Sequence, residues 1–123
     1  MTALTLALRE AVIEGGALAA AVYDRSTYNI IAGHAHRELS CRPLLELLLG
    51  AVMPSGRLAA LHGGSPVRAA RELCVVGAER SLFVSTLDTG EVIVVSTRSS
   101  MSVALGWTLV RALAAAVGEH EAL

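Results

Sequence analysis

Lysine is absent from this chain: all ten basic residues are arginines, set against eleven acidic ones for a formal net charge of −1. They are scattered, and with no basic cluster or stripe the sequence offers no electrostatic footprint for nucleic acid or an anionic membrane. Without lysine there is no phosphate loop of the GxxxxGK[ST] kind either, and Gly63-Gly64-Ser65 lacks that spacing. An all-arginine set reflects a GC-rich genome more readily than a function. Aromatic residues are scarce too, at 3%, so the core must be built from Leu, Val, Ile and Ala. A pocket for flat or sugar ligands would have little to line it. The two cysteines, Cys41 and Cys74, form no CxxC pair and are expected to be free and buried rather than bridged. No run reaches the roughly 18 to 20 apolar residues of a membrane helix. The longest candidates are broken by Arg9 and Glu10, by Arg42 and Glu46, and by Arg111. A basic start and a small-residue cleavage site are missing from the N-terminus, so the expected location is the cytoplasm, with no membrane insertion.

What is present is apolar bulk, 54% of 123 residues. The length suits one domain, residues 1–123, which by size scaling buries roughly two thirds of its unfolded surface. So high an apolar fraction in so small an interior predicts that a second subunit covers part of it.

Hydrophobic spacing predicts a first helix over 3–14, with Leu4, Leu8, Ala11 and Val12 on one side, stopped by Gly15-Gly16. Apolar runs over 17–23 and 28–34 around Asp24-Arg25-Ser26-Thr27 predict a β-hairpin whose first strand is rich in alanine. A second helix is predicted from an N-cap at Ser40, with Pro43 in its first turn, to Met53, where Pro54-Ser55-Gly56 interrupts it. Residues 57–62 could add a turn, and Gly63 to Pro66 is loop. Three strands follow, over 73–76, 82–87 and 92–97, with Asp88-Thr89-Gly90 as a tight connection. Ser99 or Ser100 is expected to cap a last helix over 101–118. Its apolar face would comprise Val103, Leu105, Trp107, Leu109, Val110, Leu113 and Val117, with Arg111, Thr108 and several alanines opposite. The order α-β-β-α-β-β-β-α predicts an α/β chain of the α+β sandwich kind, with a five-stranded, mostly antiparallel sheet between helices.

The second helix is the most informative segment. At about 100° per residue, Leu44, Leu47, Leu48 and Ala51 form one apolar face and Leu45, Leu49 and Val52 a second beside it. Only Arg42, Glu46, Gly50 and Met53 remain for water. A helix lying on one sheet needs a single buried stripe. Either the chain's own residues 54–70 cover the extra face, or the same helix of a second copy does. A two-fold dimer, which uses one self-complementary patch twice, is the preferred reading.

This pattern resembles the roadblock (dynein light chain) family and its bacterial members. The likeness lies in the element order and in the run from Arg71-Glu72-Leu73-Cys74-Val75-Val76-Gly77 through Leu82-Phe83-Val84-Ser85 and Glu91-Val92-Ile93-Val94-Val95 to Ser102-Val103-Ala104-Leu105-Gly106. The resemblance implies a profilin-like sandwich that forms homo- or heterodimers. Second helices pack together, and the middle strands join two sheets into one. On that basis the expected homodimer interface is Leu44, Leu45, Leu48, Leu49 and Val52 with Leu73 and Val75 of the middle strand. It further implies a scaffold or regulator of a Ras-like small GTPase that supplies no catalytic arginine. Pro54 is a departure, since relatives usually keep a longer second helix.

Residues able to carry chemistry are few. His34-Ala35-His36 with Cys41 is the sharpest, because His-x-His on a strand end puts both imidazoles on one side and zinc accepts His and Cys. Only three ligands are local, and the blander reading, a strand end at the surface, is preferred. Cys41 near a helix start could favour the thiolate, but no partner base is evident. Ser99-Ser100-Met101-Ser102 reads as capping rather than anion binding. Arg57, Arg68, Arg71 and Arg80 lie in or near loops, where partners tend to bind, although solubility explains any one of them. No catalytic residue, cofactor or metal is therefore expected. A sensor with a small-ligand pocket between sheet and helices is the alternative function, and a metal- or thiol-dependent enzyme the third.

Overall fold

In the computed structural model, residues 3–24, 26, 27, 29–36 and 72–122 are described, with side chains as far as Gly118. The first helix, α1, spans Ala3–Ile13 and buries Leu4, Leu8, Ala11 and Val12, the stripe its spacing predicts. It ends on Gly16, which sits at φ +81, while the Ala17 N–H donates to the Ala11 carbonyl at 3.0 Å. That bond, reaching back six positions around a left-handed glycine, closes off one of the last carbonyls of the helix.

The strands are β1 (Ala19–Asp24), β2 (Ile30–Ala35), β3 (Glu72–Val76), β4 (Arg80–Thr86) and β5 (Glu91–Arg98). They form one five-stranded sheet in the order β2-β1-β5-β4-β3, and every neighbouring pair is antiparallel. Gly90, at φ +102, lets Leu87 and Glu91 close the β4–β5 hairpin through a 2.8 Å backbone bond. The central seam joins opposite ends of the chain: β1 lies against β5 from Ala19↔Ser96 to Asp24↔Glu91.

Alternation along the strands creates two buried faces. On the first, Ala20, Val22, Phe83, Ile93 and Val95 pack with α1 and with the last helix, α2 (Val103–Ala122), through Val110, Leu113, Ala116 and Val117. Gly106 makes this possible, since a Cβ there would stand 2.3 Å from Cζ of Phe83. Trp107 meets the same ring edge-on, with centroids 5.2 Å apart, an arrangement worth about 0.5–1.5 kcal/mol beyond area. The second face, Ala19, Ala21, Tyr23, Leu82, Val84, Val92 and Val94, is equally closed to solvent, although both described helices lie on the first. Its burial explains why β1 and β5 read as continuous apolar runs rather than alternating ones.

Two expectations for the last helix need correction. Ser102, not Ser99 or Ser100, is its cap: the Ser102 hydroxyl accepts the Leu105 N–H at 3.2 Å, whereas Ser99 Oγ donates to the Ala78 carbonyl at 2.9 Å. Val103 and Leu105 are exposed, while Ala116 is buried. The face in contact with the sheet runs along 106, 110, 113 and 117, and Val103 and Leu105 fall outside that stripe. The predicted helix over 40–53 lies outside the described residues.

Candidate functional site

Two candidate sites among the described residues sit at the two margins of the sheet. At one, β3 pairs with β4 through five successive residues, Glu72↔Ser85 to Val76↔Ser81, without a slip. Leu73 is half-buried against the second face, and Val75, two residues on, points the same way and is 44% exposed. Cys74 and Val76 take the opposite side. Cys74 packs on the helical core and burial pushes its thiol up from the usual range, which makes it a poor nucleophile; Val76 is 64% exposed. The strand order ends here, so the outer N–H and C=O groups of β3 face no neighbouring strand among those described. Leu73 and Val75 are thus together on one edge, and Leu44, Leu45, Leu48, Leu49 and Val52 lie outside the described residues.

At the other margin, β2 pairs with β1 in a register that slips between Val22 and Tyr23, leaving Ile31 between the pairs Tyr23↔Ile30 and Val22↔Ala32. His34 lies opposite Ala20, on the helical side of the sheet. The His36 N–H donates to the Leu18 carbonyl at 2.8 Å, extending the ladder one step past β2. Both imidazoles therefore share a side, as the His-x-His spacing predicts, and α1 overhangs them. Thr5, Arg9, Val12 and Ile13 of α1 line a groove of about 750 Å³ with His34, Ala35 and His36. Sequence reasoning found the histidines but not Arg9, because the signal joins residues 25 apart in the chain and only the packing of α1 brings them together. Cys41 lies outside the described residues. No cluster of three or more His, Cys, Asp or Glu exists among those described.

A smaller cavity of about 440 Å³ lies at the hairpin ends, lined by Asp24, Ser26, Thr89, Gly90 and Glu91. Asp24 and Glu91 stand opposite each other across the seam, but each carboxylate is occupied locally. Asp24 Oδ1 accepts the Ser26 hydroxyl at 2.7 Å and the Ser26 N–H at 2.9 Å, which holds its carboxyl below the usual value. Glu91 accepts from the Thr89 hydroxyl. These are turn-forming contacts. Of the loop arginines, Arg80 is exposed at the start of β4, and Arg57, Arg68 and Arg71 fall outside the described residues. No described helix is long and apolar enough to cross a membrane.

No protein-family model matches the sequence, and no curated protein does. Solved structures do. Myxococcus xanthus MglB aligns at a TM-score of 0.73 with 18% identity, covering 95% of this chain and 86% of that one. An MglB with a tetrameric arrangement aligns at 0.72 with 21% identity, covering 98% and 90%. A Roadblock/LC7 domain from Streptomyces avermitilis aligns at 0.62 with 20% identity, covering 86% and 87%. The chain has the roadblock fold, in the form that the bacterial MglB proteins share.

Proposed function

We propose, starting from the roadblock fold of this chain, that it is a non-enzymatic, self-associating regulator in the cytoplasm. It acts as a scaffold on a Ras-like small GTPase or its complex. The observation that carries the reading is the edge of β3: a regular five-residue strand with exposed Val75 and Val76 and a half-buried Leu73 beside a closed apolar face. An antiparallel β3–β3 pairing across a two-fold axis would supply partners for its outer backbone groups and cover these side chains at once. The predicted helix over 40–53 would extend the interface through Leu44, Leu45, Leu48, Leu49 and Val52. The tetrameric arrangement of one MglB supports self-association as a habit of this fold. The GTPase partner rests on the roadblock likeness.

The experiment has two readouts. Light scattering of the purified chain should give twice the monomer mass. The dimer should also bind a Ras-like GTPase of the same genome in one nucleotide state and not the other. A monomer at all concentrations removes the self-association, and no binding in either nucleotide state removes the partner.

A further inference from the structure

The groove between α1 and β2 gathers one arginine and two histidines. We propose that it is a binding site for a small organic phosphate, with Arg9, His34 and His36 holding the phosphate.

Placement comes first. Positions 5, 9, 12 and 13 recur on one side of α1 and line the groove from above, and His34 and His36 line it from the strand. Imidazoles two residues apart on one side of a strand start about 7 Å apart, near enough to share one phosphate group. His34 stands opposite the core residue Ala20, and the bond from the His36 N–H to the Leu18 carbonyl, at 2.8 Å, fixes that end of the groove.

Charge then decides between an anion and a cation. Arg9 is a permanent cation with only donors to offer, and each imidazole has a ring N–H that can donate to an anion. No carboxylate is among the described residues that line the groove; Glu10 and Glu14 of the same helical segment do not line it. A metal ion held by the two imidazoles would lack a third ligand among the described residues and would sit beside a guanidinium. A phosphate instead matches the donor fork of arginine and accepts from the imidazole N–H groups. Val12 and Ile13 add an apolar wall, which suits a phosphate ester better than the free ion. A volume of about 750 Å³ falls in the range of small-ligand sites. The site is independent of the GTPase reading, and either can fail alone.

The test is a ¹H–¹⁵N NMR titration of the whole chain with phenyl phosphate, inorganic phosphate, phenol and Zn²⁺. The expected result is saturable shifts at the amides of Arg9, Val12, Ile13, His34 and His36 with phenyl phosphate. Inorganic phosphate should bind there more weakly and phenol not at all. Arg9→Gln should weaken phenyl phosphate by at least about tenfold, and His34→Asn with His36→Asn should do likewise. Unchanged circular dichroism and melting in both variants would show that the fold is intact. The proposal is overturned by shifts that do not saturate or lie elsewhere, by undiminished affinity in Arg9→Gln, or by inorganic phosphate binding as tightly as the ester. Saturation of these amides by Zn²⁺ while phenyl phosphate stays silent overturns it equally.

Discussion

The two outer strands of the sheet, β2 and β3, expose comparable amounts of branched aliphatic surface. Ile30 and Ile31 are 50% and 45% exposed on one, Val75 and Val76 44% and 64% on the other. Their surroundings differ. β2 has a slipped register at Ile31, a helix packed over it, and three ionisable or charged side chains in the groove between them. Bulges, covering elements and inward-facing charge are the devices by which an outer strand avoids recruiting another strand. β3 has none of these among the described residues: its register is unbroken and its one charged residue is Glu72 at the start. Exposed apolar area alone would not separate the two margins. The state of the backbone beside that area does, and on it rest the two proposals, that β3 meets another copy of the chain and β2 a small ligand.

The largest expected effect comes from the structure the margins share. Gly106→Val would drive side-chain carbons into the Phe83 ring, where even a Cβ would stand 2.3 Å from Cζ. Lifting α2 off the sheet should cost about 3 kcal/mol, read as a lower urea midpoint, and should weaken self-association and ligand binding together. If only one is affected, the margins do not depend on a common core. Next comes a direct contrast between them. Val75→Glu should weaken self-association at least about tenfold by burying a charge at the proposed pairing, whereas Ile31→Glu should leave the mass measured by light scattering unchanged. A reversed outcome would exchange the two assignments. The smallest effect touches neither margin. The Thr97 hydroxyl is buried without a hydrogen-bond partner among the described residues, so Thr97→Val should raise unfolding free energy by about 1 kcal/mol, with the mass in solution and phosphate affinity unaltered.

Much of the architecture was legible in the amino-acid order because short-range physics writes it there. The spacing of Leu4, Leu8, Ala11 and Val12 marked α1, and Asp88-Thr89-Gly90 marked the β4–β5 connection that Gly90 closes with its positive φ. Less was legible where the answer depends on distant partners. Val103 and Leu105 looked like core until the position of Phe83 showed which stripe of α2 meets the sheet. The pairing of β1 with β5 has no local signal, since alternation says that a strand has two faces but not which strand lies beside it. At the sites the division is the same. Leu73 and Val75 can be named only through the family resemblance, which puts the middle strands at a dimer seam, whereas His34 and His36 follow from their spacing. Arg9 is a polar position of α1 with no local signal, and only the packing of α1 over the sheet edge brings it beside the histidines.

That β1–β5 seam also sets the order in which the molecule can come into being. Ribosomes deliver α1, β1 and β2 first, yet the inner partner of β1 is Glu91–Ser96, and the helix that packs beside α1 is α2, at the far end of the chain. An isolated hairpin is marginal in water, and contacts so distant in sequence are slow to form. The early segment, with its run of Ala19, Ala20, Ala21, Val22 and Tyr23 that ends fully enclosed, must wait uncovered until β5 emerges. Synthesis arrested before Glu91 would thus yield an aggregating fragment rather than half a domain.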